Sequence, residues 1–236
     1  PLQYGKRTLK AAEAFLVEGD DTTRLVFSKA SAKLDFIGRG MSGGEIQVEG
    51  QAGSYLAMQM KAGKILVTGS VDAYTACEMK GGTVVINGNA GDFLGAALPG
   101  NKKGMAGGIV LVKGDAGDRV GDHLRRGAIL IEGNAGAYLG SRMTAGTIAV
   151  LGTVGAYPGY AMGRGTLLLA QAPASIPATF SDCGMHTLGF IPLMLRSFAE
   201  LDTRYASMAD ALKRVRRYAG DLCSLGKGEI LVAEQP

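Results

Sequence analysis

Cysteine, histidine and proline are scarce in this 236-residue chain, with three, two and seven residues respectively. Cys77, Cys183 and Cys223 are odd in number and far apart, which argues against a disulfide framework and for a reducing cytosol. Two histidines, His123 and His186, leave acid–base chemistry to carboxylates or lysines, and no carboxylate pair stands out. No apolar run approaches the ~18 residues of a membrane span, and no charged-then-apolar signal segment opens the sequence. The expectation is therefore a cytoplasmic protein with no membrane partner. Net charge is only +4, from 25 basic and 21 acidic residues, too mild to imply nucleic acid.

Glycine is what the chain has in excess. Its 37 copies make about 16% of the residues, roughly twice the usual ~7%. Hydrophobic residues at 47% exclude a disordered tail or flexible linker, and glycine does not fall on every third residue as in collagen. The glycines instead mark a repeat. Anchored on Gly50, Gly69, Gly88, Gly114, Gly133 and Gly152, successive copies are 19, 19, 26, 19 and 19 residues apart. The long step is one repeat plus a seven-residue insertion.

Other columns keep the same register. Ile46, Ile65, Val84, Val110, Ile129, Ile148 and Leu167 stand four before the anchor, or before its counterpart Gln171 in the last copy. Val48, Val67, Ile86, Val112, Ile131, Val150 and Leu169 stand two before it. Apolar, mostly β-branched residues at period 2 describe a short strand with one buried face. Tyr55, Tyr74, Phe93, Arg119, Tyr138 and Tyr157 follow the anchor by five, and Met60, Met79, Leu98, Leu124, Met143 and Met162 by ten. A short strand cannot bury its face alone, so the coils must stack. The pattern predicts an all-β solenoid: a right-handed parallel β-helix of about seven coils, with both side-chain ladders in its core. Its anchor glycines occupy corners that need positive φ or close approach between coils.

Residues 1–30 read as an N-terminal cap, 31–171 as the β-helix, and 172–236 as a C-terminal cap of helix and strand. Pro173 and Pro177 end the repeat. Helices are expected over 190–200 and over 207–218, where Met208, Leu212 and Val215 share a helical face, and a last strand over 228–232.

Motifs that carry chemistry are few. Gly38-Arg39-Gly40-Met41-Ser42-Gly43 matches a dinucleotide fingerprint, but no strand–helix–strand unit follows it. Asp182-Cys183-Gly184-Met185-His186 offers half of a zinc-like spacing without the other two ligands, and a Cys/His nucleophilic pair there would lack an oxyanion site. The prediction is no catalytic residue, no metal site and no directly bound cofactor. The one local anomaly is the insertion around Lys102 and Lys103, followed by a coil that places Arg119 in the aromatic column and Arg125 and Arg126 nearby. In that column Arg119 needs either local exposure or compensation by Asp118 or Asp122. These five cations are the candidate surface for a partner subunit or an acidic ligand.

The glycine-bounded coils resemble the β-helix at the C-terminal end of the large glutamate synthase chain. Together with the Asp182–His186 turn, Tyr218-Ala219-Gly220-Asp221-Leu222 and Gly226-Lys227-Gly228-Glu229-Ile230-Leu231, they resemble more closely the β-helical subunit of formylmethanofuran dehydrogenase and its counterpart in a bacterial relative, the formyltransferase/hydrolase complex. The likeness covers about residues 30–232. It implies a non-catalytic scaffold in a hetero-oligomer with an amidohydrolase-like subunit, a formyltransferase subunit and a further dehydrogenase-like subunit. That complex would use a methanofuran-type carrier and tetrahydromethanopterin, with metals in the partner chains. The carriers of this family bear glutamyl tails, and Lys102, Lys103, Arg125 and Arg126 are candidates to guide such a polyanion. Alanine content and a modest lysine count favour the bacterial complex over the CO₂-reducing tungsten or molybdenum dehydrogenase. A detached glutamate synthase-like domain is a further alternative. A hexapeptide acyltransferase is disfavoured, because a 19-residue step breaks its six-residue register.

Overall fold

The computed structural model describes residues 2–4, 6–208, 210 and 212–234. A small antiparallel pair, β1 (Leu2–Tyr4) and β2 (Arg7–Leu9), precedes a single helical turn, α1 (Ala11–Ala14). Eight parallel strands then stack in chain order: β3 (Arg24–Ala30), β4 (Ser42–Gly50), β5 (Ala62–Val67), β6 (Thr83–Ile86), β7 (Ala106–Val112), β8 (Arg126–Ile131), β9 (Thr147–Val150) and β10 (Arg164–Leu169). Next come β11 (Ser181–His186), α2 (Phe190–Phe198), two 3₁₀ turns, β12 (Val215–Gly220) and β13 (Lys227–Ala233). β13 lies parallel on β10, and β12 and β11 extend the sheet antiparallel to eleven strands. The architecture is a parallel β-solenoid of about eight turns. Among the described residues no helix is long and apolar enough to cross a membrane.

The glycine count translates directly into strand register. Ile65 lies opposite Val84, Val84 opposite Val110, Val110 opposite Ile129, Ile129 opposite Ile148, and Ile148 opposite Leu167. A one-residue slip would turn every one of these side chains out of the core, so burial fixes the pairing. A second line of parallel bridges, Ala52–Val71–Ala90–Ala116–Ala135–Val154, closes another side of each coil.

Corrections to the sequence reading concern what surrounds this stack. The inner thioether column is Met60, Met79, Met105, Leu124, Met143 and Met162, all fully buried. Met105 therefore takes the rung assigned to Leu98, because residues 98–104 are the insertion and loop out before the column resumes. The aromatic column is not in the core; it stands half-buried on the outside of the coils. The anchor glycines work by close approach rather than by dihedral angle, with Gly50 (φ +123°) alone among the six in the left-handed range. A Cβ on Gly133 would stand 2.6 Å from the Gly114 carbonyl oxygen of the coil below.

Both faces of the sheet are buried over its middle. Val85, Leu111, Leu130, Ala149 and Leu168 point outward and are covered by Ile191, Leu195 and Phe198 of α2 with Tyr205, Leu212 and Val215. No helix runs over 207–218: residues 204–207 form a 3₁₀ turn, Ala209 and Ala211 lie outside the described residues, and β12 begins at Val215. Val215–Gly220 pairs with both β11 and β13, and Val215 is buried in the outer cluster, so tertiary context overrides the helical spacing. The covering segment is locked by buried Glu132, which accepts hydrogen bonds from Thr203 Oγ1 and the Arg204 N–H, both at 2.7 Å.

Candidate functional site

Five, seven and nine residues after each anchor, the backbone enters the left-handed region even where the residue is not glycine, except at Ala97, where the insertion begins. Tyr74 (φ +58°), Ala76 (+57°) and Glu78 (+53°) form one such turn. The alternation sends successive N–H groups to opposite neighbours: Tyr74 donates to Asp92 O and Glu78 to Ala96 O in the coil above, Ala76 to Leu56 O in the coil below. Inter-coil bonding thus holds a conformation that costs a side-chain-bearing residue about 1 kcal/mol or more.

That geometry presents the aromatic column on the surface. Phe36, Tyr55, Tyr74 and Phe93 stack with centroids 4.8, 5.2 and 4.7 Å apart. Arg119 takes the next rung, its guanidinium 6.0 Å from the Phe93 centroid and 4.7 Å from that of Tyr138, and Tyr138 stacks on Tyr157 at 5.1 Å. The charge of Arg119 is therefore met by two ring faces and partial exposure. Asp122 does not compensate it. Buried Asp122 instead accepts from Ser141 Oγ at 2.6 Å and from Arg142 Nε at 2.9 Å and Nη2. Asp118 accepts from the Ala137 N–H.

The insertion is tied down rather than loose. Glu78 accepts from Gln59 Nε2 at 2.8 Å, from the Leu98 N–H at 3.3 Å and from Asn101 Nδ2. Burial opposes ionisation of Glu78, but these hydrogen bonds outweigh it and hold the carboxyl below its usual range. Where the loop leaves the coil, a cavity of about 240 Å³ opens, lined by Tyr74, Phe93, Ala97, residues 98–101, Asp122, His123 and Arg142. Burial pushes the His123 imidazole below its usual range, with Arg142 and Lys102 adding to the effect against Asp122. The shift favours the neutral ring.

Lys102 and Lys103 are exposed on the loop beyond this cavity and do not line it. Arg125 and Arg126 stand at the corner that follows the thioether column. Lys61, Lys80, Arg164 and Lys227 occupy the same corner of other coils, all exposed and none in an ion pair among the described residues. The candidate cations thus divide into a corner stripe, a loop tip and the stacked Arg119. The sequence signal for the stripe is the repeated pair Met60-Lys61, Met79-Lys80 and Leu124-Arg125, which does not extend to Arg164 and Lys227.

Among the described residues no cysteine thiol is hydrogen bonded to a histidine or carboxylate. Cys77 is buried, and desolvation pushes its thiol up to about 12. The exposed Cys183 contacts Ser181 O through sulfur, while His186 Nε2 reaches the Cys183 carbonyl at 3.0 Å rather than the thiol. Among the described residues no group of three or more His, Cys, Asp or Glu side chains is placed to hold a metal ion.

The chain matches no family model and no curated protein. A solved structure does match. It is a chain of the formyltransferase/hydrolase complex FhcABCD from Methylorubrum extorquens, crystallised in complex with methylofuran. The two are 42% identical and superpose with a TM-score of 0.88, over 94% of this chain and 82% of that one. This chain belongs to the same family as that subunit. The formyltransferase/hydrolase subunit family thus includes this glycine-paced solenoid over nearly its whole length.

Proposed function

We propose that the chain is a non-catalytic scaffold subunit of a hetero-oligomeric formyltransferase/hydrolase complex that works between a methanofuran-type formyl carrier and formate. The observation that carries this reading is the 42% identity over 94% of the chain to a subunit of such a complex. The partners would be an amidohydrolase-like, a formyltransferase and a dehydrogenase-like chain, with tetrahydromethanopterin and metals used there and the assembly in the cytoplasm. The rigid, two-sided packing of the solenoid suits a part whose task is to hold other chains in place.

The same reading gives the exposed cations a task. Lys102, Lys103, Arg125 and Arg126, with the corner stripe, would attract an anionic carrier tail through the screened field of several uncompensated charges. Arg119 is held between rings and would act as a fixed charge beside them.

A native pull-down from the source cells, with mass spectrometry and metal analysis of the assembly, tests the reading. Copurification with an amidohydrolase-like chain and a formyltransferase, with zinc and neither tungsten nor molybdenum, is the expected result. A tungsten or molybdenum pterin with iron–sulfur subunits would move the chain to the CO₂-reducing dehydrogenase. Activity in the isolated chain would overturn the scaffold role.

A further inference from the structure

The cavity beneath the insertion is where the repeat departs from itself. In the column nine after the anchor, Gln59 and Glu78 are hydrogen bonded and His123 and Arg142 follow, but Ala97 fills the rung between. A methyl group stands where its neighbours carry long polar side chains, and the inserted residues roof the resulting gap. Its floor is the stacked rings of Tyr74 and Phe93, and one wall is Leu98 and Pro99.

The polar side of the gap is only partly used. Arg142 spends Nε and Nη2 on Asp122, and its Nη1 group has no hydrogen-bond partner among the described residues. The side chain is 44% exposed although its carboxylate partner is 6% exposed. The ring nitrogens of His123 also make no hydrogen bond among the described residues, and Asp122 is satisfied by Ser141 and Arg142. The unspent groups are therefore an aromatic floor, a guanidinium edge and an imidazole.

Size narrows the occupant. Pockets for whole ligands run from about 300 to 1,000 Å³. At about 240 Å³ and open to solvent, this one suits a single inserted side chain. We propose that it is an anchor site for a partner subunit, receiving one aromatic or aliphatic side chain on Tyr74 and Phe93 with an adjoining carboxylate against Arg142. Buried anchors in preformed pockets of this kind carry most of the energy of an interface. Charge complementarity selects the acidic neighbour, since the free hydrogen-bonding edge is cationic. The proposal rests on the hetero-oligomeric assembly argued above.

Two measurements on the assembly test it. Hydrogen–deuterium exchange compares residues 97–104 in the free chain and in the complex. Affinity for the copurifying subunits is measured for the parent, for Ala97→Leu, which fills the gap, and for Pro99→Asp, with Lys213→Glu as a remote control and the melting temperature of each free chain recorded. Exchange over 97–104 should slow at least about tenfold on assembly, and the two pocket variants should weaken binding by about tenfold or more while the control does not. Unchanged exchange in the assembled complex, or parent-like binding by both variants, would overturn the anchor site and leave the assembly reading standing. A parent chain that joins no other subunit would bring down both.

Discussion

The Arg119 guanidinium lies 4.7 Å from the centroid of Tyr138 and takes a rung that aromatic rings fill in neighbouring coils. A cation is tolerated there because the column is an outer one, where the charge keeps some water while resting on two ring faces. Arg119→Ala should lower stability by about 1 kcal/mol through loss of these contacts. Arg119→Tyr, which continues the ladder, should stay within about 1 kcal/mol of the parent. Urea denaturation of the three proteins decides it; equal midpoints for parent and alanine variant would mean that the stacking contributes nothing.

Asp122 and Arg142 form the pair on which the wall of the cavity depends. Arg142→Leu strips a buried carboxylate of its counter-charge, and the cost should be about 2–3 kcal/mol, toward the low end for a buried pair because Arg142 is half open to water. Combining it with Asp122→Asn, which removes the orphaned charge, should recover a good part of that loss. A double variant no more stable than Arg142→Leu alone would show that the guanidinium matters through packing rather than through charge.

The glycine anchors make a sharper prediction. Since Gly133 is held by the approach of the Gly114 carbonyl, Gly133→Ala should already cost about 3 kcal/mol or more, and Gly133→Val should prevent folding. At Gly100, φ is +86° with open space around the position, so Gly100→Ala should cost only about 1 kcal/mol. Thermal melts separate the two causes: similar losses at both positions would argue that the anchors are conformational after all.

The repeat was legible because it is a one-dimensional code. The 19-residue spacing of Ile46, Ile65 and Val84 is the same fact as their pairing in the sheet, so fold and register could be read together. Surroundings were harder. The outward positions Leu66, Val85, Leu111 and Leu130 are as apolar as the inward ones, a signal that the second face is covered, but only Gln47 in an early coil shows the polar alternative. The strand at Val215–Gly220 was hidden because its partners lie at Ser181–His186 and Lys227–Ala233, and no local pattern reports a non-local pairing. The cavity came from the small size of Ala97, which acquires meaning only when the insertion is aligned so that Met105, and not Leu98, follows Met79 in the core.

Tyr205 offers a test of how the C-terminal segment is fastened. Its hydroxyl, fully buried, donates to the Ile131 carbonyl at 2.7 Å. Tyr205→Phe leaves that carbonyl without this donor and should cost about 1–3 kcal/mol. The loss should appear as faster hydrogen exchange over residues 190–208, while the coils from β5 to β8 keep their protection. Equal acceleration throughout would mean that the segment and the solenoid open as one unit.

The cavity histidine ties stability to pH. Burial depresses the His123 imidazole in the folded chain, so between its ordinary value of 6.5 and the lower folded value the unfolded chain binds more protons. Stability contributed by the neutral ring is therefore complete above 6.5 and is lost as pH falls through 6.5 toward the folded value. Below the folded value both states are protonated and the loss stops growing. Urea midpoints taken from pH 7.5 down to 5.5, above the range in which the depressed carboxyls of Glu78, Asp182 and Asp202 titrate, should fall for the parent and fall less for His123→Gln. Parallel curves for the two proteins would place the pH dependence elsewhere.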